Sequence, residues 1–216
     1  MNKLRQDLQS YLNTTYPGSV IDTAHTVFGQ VHIRFELGGD NNNGTKKRVK
    51  QATMRALTLF NETFQDKDNM LWILIYESSG FNGTTTYLYD LFEPEQFSKF
   101  YDKIEKVTTR NFVNDDAGNS VPEKKEERII IGKLEVKKIK VEKILAGISN
   151  NEMGFEPAIS QRIIFVDPVT DKAFLMYDDR GCYVWSNKAD KIRTMYIKYN
   201  DWIVPYHKPE IDEYFK

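Results

Sequence analysis

Three consecutive charged residues form the most chemically suggestive segment of the chain. Asp178, Asp179 and Arg180 lie between Tyr177 and Gly181. Paired carboxylates can hold a metal ion or exchange protons, and an arginine can clamp an anion. Adjacent residues of a strand point to opposite faces, however, and no third ligand stands at a suitable spacing. The simpler interpretation is a hairpin turn that the aspartates and Arg180 stabilise, with a positive φ at Gly181.

A group of basic residues opens a predicted helix that runs from residue 46 to residue 64. Its members are Lys46, Lys47, Arg48, Lys50 and Arg55. The helix macrodipole is already positive at this end, so these charges destabilise the helix locally. A solvated basic face is one interpretation, and a site for an anion or an acidic partner is the other.

The loop before this helix, residues 39–47, lies between a strand and a helix, as a phosphate-binding loop would. A P-loop needs glycine, then lysine, then serine or threonine. Here the order is Gly44, Thr45 and Lys46, which moves both groups from their required places. No nucleotide site is predicted.

The sequence does not predict a metal site or a catalytic cysteine. The histidines, His25, His32 and His207, are dispersed, and none forms a pair at zinc-ligand spacing. The single cysteine, Cys182, begins a predicted strand, so we expect it to pack as a small apolar residue in a reducing compartment. We expect neither a metal nor a cofactor.

Aromatic residues recur every three or four positions near the C-terminal end, at Tyr196, Tyr199, Trp202 and Tyr206. That spacing places them along one helical face. We expect Trp202 to be buried against the three strands predicted within residues 159–185. If Trp202 or Tyr206 is exposed instead, the segment becomes a candidate partner-binding surface, because tryptophan and tyrosine supply much of the energy at interface hot spots.

The hydrophobic pattern predicts an α+β fold, in which antiparallel sheet segments pack with amphipathic helices. The predicted strands lie at 31–37, 70–76 and 84–91, with two short pieces in 128–141 and a C-terminal three-stranded meander at 159–166, 173–177 and 182–185. The predicted helices lie before Pro17 and at 46–64, 94–107, 142–150, 188–199 and 210–215. The strand at 84–91 should form a hairpin with the strand at 70–76, through a turn at Asn82 and Gly83.

Residues 114–127 have no apolar periodicity and collect Gly, Pro, Asn and like charges. This composition predicts a polar loop. The chain is expected to be a single unit of residues 1–216, with possible sub-lobes 1–113 and 128–216 joined by that loop.

Several stretches resemble a bacterial family known only as domain of unknown function 3885. They are VEKILAGISNNEMG (141–154), IIFVDPVTDKAFLMYDDRGCYVWS (163–186), IRTMYIKYNDWIVPYHKPEIDEYF (192–215) and, more weakly, VHIRFELGG (31–39) with the following helix. The YDDRG segment is the most specific of these. The resemblance implies a small cytoplasmic protein, found mostly in Gram-positive bacteria, and brings no established activity.

The sequence favours a non-enzymatic cytoplasmic module, such as an immunity or regulatory protein, whose partner is another protein. The balanced net charge of -1 and the absence of a catalytic constellation support this expectation. No secretory signal or membrane-length apolar run is present, so no membrane partner is expected. One alternative is a hydrolase-like or metal-assisted enzyme using Asp178, Asp179 and Arg180. A weaker alternative is nucleic-acid binding through the basic residues of 46–55. The oligomeric state is left open.

Overall fold

The computed structural model describes residues 2–21, 31–78 and 86–216. Across these residues the chain has an α+β fold, as predicted, and all of its strands join one antiparallel sheet. The seven strands are β1 (Val31–Glu36), β2 (Met70–Ser78), β3 (Tyr101–Asn114), β4 (Ser120–Glu135), β5 (Arg162–Asp167), β6 (Lys172–Asp178) and β7 (Gly181–Ser186). The seven α-helices are α1 (Lys3–Thr15), α2 (Lys46–Thr63), α3 (Tyr87–Asp90), α4 (Pro94–Phe97), α5 (Val141–Met153), α6 (Arg193–Lys198) and α7 (Lys208–Glu213).

The strands are ordered β1-β7-β6-β5-β2-β4-β3 across the sheet. The predicted meander is confirmed, since β5, β6 and β7 pair in sequence order. Strand β2 lies between β4 and β5, which explains its nearly continuous apolar sequence. The N-terminal strand β1 pairs with β7, a long-range contact that no local pattern could show.

Helices cover both faces of the sheet and give the protein two cores. Along β2, Ile73 and Ile75 face the larger core, which the apolar sides of α2 and α5 complete. Their neighbours Trp72 and Leu74 face the opposite side, where α1 closes a smaller core. The alternation of a strand therefore supplies both layers from one segment.

The chain covers the outer edge of β1 with its own C-terminal segment. Phe35 forms a bridge with Ile203, and the Val204 amide donates a hydrogen bond to the Arg34 carbonyl oxygen at 3.0 Å. These contacts satisfy part of an edge that would otherwise offer free backbone groups.

The prediction of a strand at 84–91 paired with β2 was wrong. Residues 87–90 form the short helix α3, and both sides of β2 are occupied by β4 and β5. Leu88 and Leu91 are buried in the larger core at helical spacing, so packing overrode the strand propensity of this segment. The expected turn at Asn82 and Gly83 lies outside the described residues.

Two neighbouring predictions also need correction. The helix expected at 94–107 begins at Pro94 but ends at Phe97, and β3 follows from Tyr101. The expected loop 114–127 forms a turn and then the first half of β4. Here β3 and β4 make a two-stranded ribbon in which Lys106 lies opposite Glu126. Side chains 120–126 are exposed or half-buried, so this stretch needs no apolar periodicity. Strands from before and after it share one sheet.

The C-terminal helices differ in extent from those predicted. The helix expected at 188–199 is reduced to α6, with 3₁₀ turns at Ala189–Lys191 and Asn200–Trp202 on either side. Helix α7 begins at Lys208, before the expected start, and Pro209 lies within its first turn. Proline is tolerated there because the first amides of a helix have no intrahelical partner.

Gly181 does not have the positive φ that the sequence suggested, although Asp178 and Gly181 do pair across a tight hairpin. Glycine is required at this position because there is no room for a side chain. A Cβ at this position would lie 2.2 Å from the Tyr177 hydroxyl oxygen and 2.6 Å from the Phe35 carbonyl oxygen. Glycine therefore lets β1 approach the hairpin.

We expect Gly181→Ala to destabilise the protein by ~1–3 kcal/mol, because the added methyl group must displace packed atoms. Urea denaturation followed by tryptophan fluorescence measures the change. A midpoint equal to that of the wild type would contradict the steric role.

Candidate functional site

The hairpin that joins β6 to β7 is held by its own charged residues. The Arg180 amide donates to Asp178 Oδ1 at 2.7 Å, and the Arg180 guanidinium donates to Asp178 Oδ2, from Nε at 2.8 Å. The Asp178 side chain is buried, whereas that of Arg180 remains largely exposed. The pairing of Arg180 with one of the aspartates agrees with the turn interpretation.

Asp179 forms a second ion pair, with a residue far away in sequence. Its Oδ2 accepts a hydrogen bond from Arg48 Nε on the first turn of α2. Asp179 is only 1% exposed and Arg48 only 9%, so this pair is inside the protein. It also places a carboxylate beside the helix end at which the basic residues crowd, where negative charge is favourable.

The loop between β1 and α2 wraps around the Arg48 guanidinium. Arg48 Nη1 donates to the Asn41 carbonyl oxygen at 2.8 Å. Gly38 packs directly on the guanidinium, since a Cβ there would lie 2.4 Å from Arg48 Cζ. Gln51 Nε2 donates to the Gly38 carbonyl oxygen at 2.9 Å and fixes the loop from the next turn of α2. Together with Asp179, these contacts form what we call the Arg48 clamp.

The two aspartates of the hairpin therefore do not converge on a common point. Asp178 bonds to Arg180, and Asp179 turns inward to Arg48. Within the described parts of the chain, no group of three or more His, Cys, Asp or Glu side chains could hold a metal ion. The geometry of the hairpin is that of a structural junction.

The basic residues of α2 divide into two sets. Arg48 and Arg55 point into the protein, where Arg55 Nη1 donates to the Glu36 carbonyl oxygen at 3.2 Å. Lys46, Lys47 and Lys50 are exposed, and among the described residues they form no ion pair. The face expected to carry five charges thus presents three of them to solvent.

The aromatic segment packs on β1 and α2 and not on the meander expected from the sequence. Tyr199 is buried, with its ring centroid 6.4 Å from that of Phe35. Trp202 is half-buried beneath Arg55, whose guanidinium carbon lies 4.8 Å from the ring centroid. Tyr206 is 87% exposed. Tyr196 is half-buried and donates to Asp212 Oδ1 at 2.8 Å.

The histidines and the cysteine take separate places. His207 Nε2 lies 2.6 Å from Arg34 Nη1 and must accept, because arginine only donates. His32 packs between the rings of Tyr183 and Tyr214, and His25 lies outside the described residues. Cys182 is fully buried, and burial raises the pKa of its thiol, as expected for a packing residue.

An apolar groove between α2 and α5 is the feature that the sequence did not indicate. Its volume is about 680 Å³. It is lined by Lys46, Val49, Lys50, Thr53, Met54, Glu142, Ala146, Asn150, Phe155 and Glu156. Met54 is 57% exposed, a large fraction for an apolar side chain in the middle of a helix. We call this feature the α2–α5 groove.

The groove is formed by two antiparallel helices. The Thr53 hydroxyl donates to Ser149 Oγ at 3.3 Å, and nearer the start of α2 the Gly44 amide donates to Met153 Sδ at 3.0 Å. Phe155 follows α5 and closes one end of the groove. The spacing of Val49, Ala52 and Ala56 predicts an apolar stripe on α2, of which Ala52 and Ala56 are buried and Val49 is half-buried. The exposed apolar surface beside this stripe becomes a groove only when α5 is in place.

The described residues form one antiparallel sheet of seven strands, with helices on both faces and an apolar groove between two of them. The model of the family described as "Domain of unknown function (DUF3885)" matches residues 8–207, and the chain belongs to this family. The resemblance seen chiefly in the C-terminal third therefore extends along most of the chain.

One relative is the "Uncharacterized protein YnaE" of Bacillus subtilis (strain 168). It is 32% identical over 74 residues, and the alignment covers 32% of this chain and 35% of the relative. The chain thus matches about a third of that protein's length. No solved structure matches the chain. Among the residues described, no helix is long and apolar enough to cross a membrane.

We expect Asp179→Ala to destabilise the protein by ~3–5 kcal/mol, because it leaves the Arg48 charge buried without its partner. The double variant Arg48→Met/Asp179→Leu should recover much of this loss, since both charges are then removed. Denaturant titrations of the wild type, Arg48→Met, Asp179→Leu and the double variant give the coupling energy. Additive losses would show that the two residues do not form the clamp.

Trp202 and Tyr206 provide a matched pair of aromatic substitutions. We expect Trp202→Ala to cost ~2 kcal/mol, somewhat below the cost of truncating a fully buried large residue, because the ring is half-buried under Arg55. Tyr206→Ala should change stability by less than about 0.5 kcal/mol, because its side chain meets mainly solvent. Thermal melting of both variants checks the difference. Equal melting temperatures would contradict the packing of Trp202 against α2.

Proposed function

We propose that this protein is a non-enzymatic interaction module of the bacterial cytoplasm, and that its α2–α5 groove binds a segment of another protein. The single observation that carries the proposal is an exposed apolar groove bordered by charged residues on two well-packed helices. Apolar patches of this kind, rimmed by polar side chains, mark sites of protein interaction.

The composition of the groove supports a protein ligand. Val49, Ala146 and Phe155 are half-buried and leave their remaining surface towards the groove. Met54 adds a flexible apolar side chain of the type favoured at surfaces that adapt to a partner. Covering these groups would remove apolar surface from water and stabilise a complex.

The shape of the groove also favours a protein segment over a small molecule. Lys46 and Met54 mark its two ends on α2, eight residues apart, which corresponds to about 12 Å along a helix. Small-molecule sites enclose most of their ligand. This groove is a trough between two surface helices, with Lys46, Lys50 and Glu142 exposed along its banks.

The hairpin of Asp178, Asp179 and Arg180 offers less to a partner. Its two carboxylates are buried and bonded to arginines within the protein. A partner therefore cannot reach these carboxylates, and the hairpin's role in this proposal is to hold α2 in place. An immunity or regulatory role is the form of interaction we propose, because such proteins act by occupying a partner.

The test compares three forms of the protein as bait in a lysate of the native host: wild type, Met54→Glu and Ile197→Glu. Ile197 is 66% exposed on α6 and does not line the groove, so it is a matched control. We expect a partner that binds wild type and Ile197→Glu but not Met54→Glu, because a carboxylate in the groove must be desolvated on binding.

The recovered partner is then purified and its direct affinity for all three forms is measured by isothermal titration calorimetry. Both substitutions are at exposed positions and should leave stability within about 0.5 kcal/mol. A partner whose affinity is unaffected by Met54→Glu, or a captured protein that does not bind directly, would refute the groove as the docking site.

A further inference from the structure

The α2–α5 groove also restricts the conformation and charge of its occupant. We infer that the occupant is an α-helix that lies along the groove, with acidic residues on the flank that follows Lys46 and Lys50. This inference rests on the proposed function and deepens it.

The walls of the groove require an occupant that satisfies its own backbone. Both walls are α-helices, whose interior amides and carbonyls are bonded within each helix. An extended segment could therefore contact side chains here, but the helices offer no free backbone groups with which it could form hydrogen bonds. A strand added to the edge of a sheet, by contrast, pairs its backbone with that edge. A helix brings its backbone hydrogen bonds with it.

The spacing of the lining residues is that of two parallel ridges. On α2, Lys46, Lys50 and Met54 recur at every fourth position, and on α5 the residues Glu142, Ala146 and Asn150 do the same. Rows of residues four apart are the ridges that pack into the grooves of a neighbouring helix. The small side chain of Ala146 at the centre of the α5 ridge allows a third helix to approach closely.

The banks of the groove differ in charge. Lys46 and Lys50 lie on the α2 bank, and neither forms an ion pair with any described residue. Glu142 and Glu156 lie on the α5 side of the groove, and neither forms an ion pair with any described residue. A helix with acidic side chains towards α2 would pair with both lysines, whereas a basic flank would meet two like charges.

The experiment uses designed peptides of about 16 residues with a leucine face, held helical by side-chain lactam bridges because short helices are marginal in water. The acidic peptide carries glutamates on one flank and glutamines on the other. In the basic peptide lysines replace the glutamates. A third peptide is the acidic one without bridges and with a central proline, which breaks the helix.

We expect the acidic peptide to bind the wild-type protein about threefold to tenfold more tightly than it binds the Lys50→Glu variant at low salt, as measured by fluorescence anisotropy. The proline peptide should lose binding. The basic peptide should not be weakened by Lys50→Glu. Lys47→Glu, with the same change in net charge three residues away and outside the groove, should leave the affinity for the acidic peptide unchanged.

An affinity for the acidic peptide that Lys50→Glu leaves unchanged, or that Lys47→Glu and Lys50→Glu lower equally, would overturn the charge assignment. Binding of the proline peptide as tight as that of the acidic peptide would overturn the helical conformation. These failures are distinct from failure of the proposed function, which is decided by the effect of Met54→Glu on the native partner. A native partner that is lost with Met54→Glu, while no peptide binds, removes the inference and leaves the function.

Discussion

The buried ion pair between Arg48 and Asp179 is the contact on which the arrangement around the groove depends. It joins the first turn of α2 to the β6–β7 hairpin, and the loop between β1 and α2 closes around it. Because α2 forms one wall of the groove, the ion pair between Arg48 and Asp179 also holds that wall in place. Removing one partner leaves a buried charge, so the junction has little tolerance for single substitutions.

Two kinds of surface result from this arrangement. Around the hairpin, charged groups are numerous but engaged, as Asp178 with Arg180 and Arg34 with the Tyr177 hydroxyl at 2.9 Å illustrate. Burial raises the pKa of that hydroxyl to about 12. Along the groove, the apolar side chains remain partly uncovered. The charged residues of the hairpin therefore bond within the protein, whereas Val49, Met54 and Phe155 keep part of their apolar surface exposed.

Sequence reasoning succeeded where one local pattern decides the structure. The alternation at 31–37, the apolar run at 70–76 and the stripe that includes Ala52 and Ala56 were confirmed, because burial on a sheet or helix imposes those periods. It failed where contacts with distant parts of the chain determine the structure. Residues 87–90 have strand propensity, but the edges of β2 were taken by β4 and β5. The ribbon of β3 and β4 carries no apolar period, and the partners Arg48 and Asp179 stand 131 residues apart.

The pairing of β1 with β7 has a consequence for synthesis of the chain. Residue 36 is made 145 residues before its partner Gly181, which at about 5–20 residues per second leaves β1 unpaired for roughly 7 to 30 s. During this interval Ile33 and Phe35 have neither their neighbouring strand nor the C-terminal cover. The nascent chain therefore exposes an unpaired apolar strand to the ribosome surface and to chaperones well before the sheet can form. Slow translation of the stretch before residue 181 would lengthen that exposure.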